Sequence, residues 1–115
     1  MTTAMPPEVR IEHRYPQALP FLRRHGAQAV AVVHDLLAHA ERSGGRLVVQ
    51  TSMREIAERL EIVSKDTVNR RLRALIRAGV LEIVPRDENE PFEPTTYILH
   101  LADSGITVRS DDRIA

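Results

Sequence analysis

Cysteine is absent from the 115 residues, which removes disulfides, thiolate nucleophiles and thiolate metal sites together. Long hydrophobic runs are missing too. The longest, Ala29 to Val33, falls far short of the 18 or so residues needed to span a bilayer. The opening "MTTAMPPEVR" lacks the basic-then-apolar order of a secretion signal, so a cytoplasmic location is the expectation. Aromatics are limited to Tyr15, Phe21, Phe92 and Tyr97, so the core must come from Leu, Ile, Val and Ala, and stacking on nucleobases has few platforms. Net charge is also lacking: 16 basic groups balance 16 acidic ones. What remains is 43% apolar and 28% charged, the balance of one folded domain.

The neutrality conceals a division. Residues 1–50 sum to +2, residues 51–80 to +3 and residues 81–115 to −5. Most of the middle charge falls in "SKDTVNRRLRALIRAGVL", which holds one Lys and four Arg against one acid.

"VRIEHRY" alternates Val9, Ile11, His13 and Tyr15 with Arg10, Glu12 and Arg14, a strand pattern, while Pro6, Pro7, Pro16 and Pro20 bar a continuous helix. Residues 1–20 therefore read as an extended N-terminal arm. From Phe21 to about Arg42, Val30, Val33, Leu37 and Ala40 recur at helical spacing, with Val32 and Leu36 as a second apolar edge. That stripe is wide enough to bury one edge and offer the other to a second copy. "SGGR" is read as the stop of this helix.

"LVVQ" is a short β-rich piece. "TSMREIAERL" follows, with Ser52 three residues before Glu55, the capping-box spacing of a helix start, and Met53, Ile56, Ala57 and Leu60 on one face. Ser64 caps the next helix, in which Val68, Leu72, Leu75 and Ile76 share a face and Gly79 ends the run. "LEIVP" and "TYILHL" read as an antiparallel hairpin around the long polar tip "RDENEPFEP", and "ITVR" as a further strand before a frayed end.

With 100° per residue, the apolar positions of the basic helix cluster on one side, and Asp66, Thr67, Arg70, Arg73, Ala74 and Arg77 lie broadly opposite. A helix of this diameter fits a DNA major groove, and an arginine fork matches the O6 and N7 acceptors of guanine. The starts at Ser52 and Ser64 place free N–H groups and the positive end of the helix dipole where a phosphate can sit.

The order helix, strand, helix, turn, helix, hairpin, together with "TSMREIAERL" and "SKDTVNRRLRALIRAGVLEIV", resembles the winged helix-turn-helix superfamily, as in small bacterial regulators and plasmid or phage replication and partition proteins. The resemblance covers roughly residues 27–101. It implies an α+β fold: a three-helix core with a β-hairpin wing over residues 21–102, an N-terminal arm over 1–20 and a strand or tail over 103–115. It also implies double-stranded DNA as partner and a recognition helix at about 64–78. Ser64, Lys65, Thr67, Asn69 and Arg70 would face bases, Arg54, Arg71 and Arg73 the backbone, and Arg86 of the wing could make one contact.

"LEIVS" is one residue longer than the commoner "LGVS" turn and lacks its glycine, which is expected to alter the angle of the third helix. The wing tip holds Asp87, Glu88, Glu90 and Glu93 against Arg86, a sign that repels DNA, so it is expected to turn away, meet a basic partner or restrain non-specific binding.

No catalytic constellation is apparent: Asp35 and Glu41 read as isolated carboxylates, and no nucleophile stands at triad spacing. Asp35 and His39 share a helical face without a third ligand, so no metal and no cofactor is expected. The expectation is a non-enzymatic transcription regulator, homodimeric through the first helix and the arm. The alternatives are a plasmid or phage replication-initiation or partition protein, or a winged helix used for protein contact.

Overall fold

The computed structural model describes residues 8–61, 64–85, 94–102 and 104–111. Among these described residues nine elements follow one another: β1 (Glu8–His13), α1 (Leu19–Ala38), β2 (Glu41–Ser43), β3 (Arg46–Thr51), α2 (Met53–Leu60), α3 (Lys65–Arg77), β4 (Leu81–Ile83), β5 (Thr95–Leu99) and β6 (Ile106–Asp111). They form two antiparallel sheets. One has the order β2-β3-β5-β4, and the other is the pair β1-β6.

The core is aliphatic, as the shortage of aromatics requires. Val32, Val33, Leu36 and Leu37 of α1 meet Ile56 of α2, Val68, Leu72 and Leu75 of α3, and Val49, Leu81 and Leu99 of the sheet. β5 lies between β3 and β4, with Leu99 opposite both Leu47 and Leu81, so Tyr97, Ile98 and Leu99 are buried in succession where an edge strand would alternate.

Both short helices begin as their sequences dictate. At α2 the Glu55 N–H donates to Ser52 Oγ at 3.1 Å, and the Ser52 N–H donates to Glu55 Oε1 at 3.0 Å. At α3 the Thr67 N–H donates to Ser64 Oγ at 3.1 Å. The turn without glycine is solved by Glu61, which takes the left-handed conformation (φ 60°) and donates its N–H to Ala57 O. Val63 and Ile62 lie outside the described residues.

α1 differs from its sequence reading at both ends. It starts at Leu19, with Pro20 in the first turn where proline needs no hydrogen bond, and it stops at Ala38. Gly26, at φ 87° and ψ 164°, interrupts it. Glu41 and Arg42, expected to be helical, form with Ser43 a strand paired with β3, Ser43 opposite Arg46. The reason is the Gly44–Gly45 turn: both glycines have positive φ (60° and 80°), the requirement of a tight two-residue hairpin.

β1 pairs with β6 along its length, from Glu8 opposite Asp111 to His13 opposite Ile106. At the end of this ribbon Gly105 is indispensable: a Cβ there would lie 2.4 Å from the Ala18 nitrogen, and the Gly105 carbonyl accepts from Arg14 N–H at 2.7 Å. His13 and His34 hydrogen-bond through their Nε2 atoms, ring centroids 4.6 Å apart, and so fasten β1 to α1. Three helices against an antiparallel sheet whose β4–β5 hairpin follows the third helix make a winged helix-turn-helix fold.

Candidate nucleic-acid interface

α3 separates its side chains cleanly. Val68, Leu72 and Leu75 are buried, whereas Lys65, Asp66, Arg70, Arg73 and Arg77 are exposed. Thr67, Asn69, Arg71 and Ala74 are half-buried along the margins. The Ser64 hydroxyl donates to Thr67 Oγ1 at 3.1 Å, and Arg70 Nη2 donates to the same oxygen at 3.4 Å, a chain of contacts along the first turn and a half.

No described carboxylate forms an ion pair with any basic side chain of α3. A row of guanidinium groups without acidic partners among the described residues leaves its electrostatic potential directed outward. Arg71 is the exception in position: its Nε and Nη2 donate to Gln28 Oε1 of α1 at 3.3 and 3.1 Å, which holds the guanidinium at the boundary of the two helices. Sequence spacing gives no sign of that tether, since 43 residues separate the pair.

Arg54 is exposed on α2, and Ser52 is half-buried with its hydroxyl engaged in the capping box. Ser64 is exposed. The expected contact Arg86 and the acidic tip residues Asp87, Glu88, Glu90 and Glu93 lie outside the described residues.

Behind this face stands a group that the sequence reading missed. Asp35, taken there as isolated, accepts from Arg59 Nε at 2.9 Å and from Arg59 Nη2 at 2.8 Å, a two-pronged pair with its side chain only 5% exposed. Arg59 Nη2 also donates to Thr51 Oγ1 at 3.0 Å, and Thr51 Oγ1 donates to Glu55 Oε1 at 3.2 Å. The hydrogen bond that Arg59 donates to Asp35 is the main reason that the Arg59 pKa rises, against the opposing pull of burial. α1, the end of β3 and α2 are thereby joined by charge-assisted bonds, which fix the platform on which α3 rests. One signal was available: an acid amid the apolar run Val32 to Leu37 needs a partner if that stripe is buried.

His39 does not join Asp35 in a metal site, because its Nδ1 bonds the Asp35 backbone oxygen at 2.9 Å while the carboxylate faces Arg59. Among the described residues no group of three or more His, Asp or Glu is placed to hold a metal ion. Among them, too, no helix is long and apolar enough to cross a membrane.

No curated protein and no solved structure matches the chain significantly. The stretch that holds β3's second half, both capped helices and β4 does have a counterpart: residues 49–88 match the family model of the LexA DNA binding domain.

Proposed function

We propose that this domain binds double-stranded DNA with sequence preference, α3 lying in the major groove, and that it acts in the cytoplasm as a regulator of transcription and not as an enzyme. The observation that carries the proposal is the outward row of basic side chains on α3 without internal acidic partners, within the segment similar to a DNA-binding domain. In this reading Ser64, Lys65, Thr67, Asn69 and Arg70 approach base edges from the first turns of the helix, and Arg54, Arg71 and Arg73 meet phosphates. The first-turn N–H groups of α2 and α3, which have no partner within their helices, supply further phosphate contacts, and Arg86 adds one from the wing.

A neutral chain gains little from counterion release as a single copy, so two copies reading half-sites about 34 Å apart suit it better. The outer side of α1 is the surface proposed for pairing. There Ala27, Val30, Ala31 and Ala38 combine with Ile11 of β1 and Leu60 of α2 around a shallow apolar hollow of about 550 Å³.

Selection of bound duplexes from a random pool tests the proposal. The expected result is an enriched motif of two inverted half-sites about one helical turn apart. Recovery of no motif at low salt would overturn it, and a single unrepeated half-site would overturn the pairing alone.

A further inference from the structure

A cavity of about 420 Å³ opens between the first half of α1, the turn that ends α3 and the segment after β5. Phe21 and Val80, both buried in the core, give it an apolar wall. The His25 ring leans on Phe21, centroids 4.5 Å apart and planes tilted by 47°, and enlarges that wall. Gly79, with no side chain to fill the space beside it, completes the floor.

The polar lining is nitrogen-rich. Arg24, His25 and His100 all contribute, and no described acidic residue lines the cavity. His100 is already engaged, its Nε2 2.9 Å from Glu82 Oε1. The Arg24 guanidinium has no hydrogen bond or ion pair with a described residue. Burial first and the Arg24 charge second hold the His25 pKa below its ordinary value, which favours the neutral imidazole.

A guanidinium without a partner beside an apolar wall is an incomplete site. Its planar fork matches a carboxylate with two parallel hydrogen bonds, and the neighbouring wall offers an apolar surface to the body of such a ligand. The volume lies near the small end of the range typical of ligand pockets, roughly 300 to 1,000 Å³, which suits a one- or two-ring acid and not a nucleotide. We propose that this cavity is a binding site for a small organic carboxylate with a flat apolar body, its carboxylate on Arg24 and its body against Phe21 and Val80.

The site touches two separate parts of the fold. Arg24 and His25 precede the interruption at Gly26, and Val80, whose N–H donates to Leu75 O, follows α3 directly. An occupant therefore bridges the first half of α1 to the end of α3. The proposal concerns the protein alone and stands whether or not α3 meets DNA.

Titration of the ¹⁵N-labelled full chain with benzoate, phenylacetate and indole-3-acetate at constant ionic strength, followed by amide shifts, is the test. At least one acid should give saturable shifts centred on Phe21, His25, Gly79 and Val80 and bind about tenfold or more tightly than its neutral amide. Arg24→Gln should abolish the preference for acid over amide, and Arg24→Lys, which keeps the charge without the fork, should retain part of it. Absence of saturable shifts with all three acids, equal binding of acids and amides, or an undiminished preference in Arg24→Gln would each overturn the proposal.

Discussion

α2 and α3 are both short, both begin at a serine cap and both carry arginine, yet they use that charge in opposite ways. Arg59 of α2 is turned inward, where Asp35 and Thr51 take up its donors. Arg70 and Arg73 of α3 are turned outward and meet no described acid. An arginine that satisfies its own fold has little left for a partner, whereas one left solvated keeps its donors available. Composition counts these residues alike; position makes one a structural tie and the others a candidate interface.

Several substitutions can break or sharpen that contrast. The largest effect belongs to Asp35→Ala, which strands a partly buried guanidinium and should lower unfolding stability by about 2 to 3 kcal/mol in urea titrations. Arg70→Ala should do the reverse: unfolding stability stays within about 0.5 kcal/mol, while affinity for a selected duplex falls by about 1 to 3 kcal/mol in anisotropy titrations. Were the two variants to exchange these phenotypes, the division of roles between the helices would be wrong.

Smaller effects follow from the helix ends. Ser64→Ala removes the cap of α3 and should cost about 1 kcal/mol of thermal or urea stability. Glu61→Gly should gain about 0.5 to 1 kcal/mol by relieving the left-handed conformation at the end of α2, and it leaves Arg59 and α3 chemically unchanged.

The smallest effect is a pH dependence. Burial, and then the neighbouring His13, holds the His34 pKa below its ordinary value, and His25 is shifted in the same direction. A histidine with a lowered folded-state pKa binds its proton more readily when unfolded, so stability declines as pH falls through about 6.5 and levels off below the folded value. Melting temperature measured between pH 7.5 and 5 should drop slightly in the parent chain and less in His25→Gln/His34→Gln.

What the sequence makes legible in this fold is local. Ser52 with Glu55, Ser64 with Thr67, and the apolar spacing of Val68, Leu72 and Leu75 all lie within a few turns of chain, where geometry follows directly from spacing. The Gly44–Gly45 pair was ambiguous, because positive φ serves a helix end and a hairpin equally well. Tertiary ties were beyond reach: β1 finds β6 across almost the whole chain, and Asp35 finds Arg59 at a separation of 24 residues. For the candidate interface, the helical period predicts which α3 side chains face outward. It does not reveal that Gln28 restrains Arg71, because that contact depends on how α1 and α3 pack.

The central claim is that the outward basic groups of α3 neutralise DNA phosphates, and the salt dependence of duplex binding tests it most directly. The account predicts affinity that falls linearly in logarithmic coordinates as salt rises, with a slope shallower by about 2 in Arg71→Ala/Arg73→Ala than in the parent chain. An identical slope for the two proteins, or no duplex binding by the parent at low salt, would contradict it.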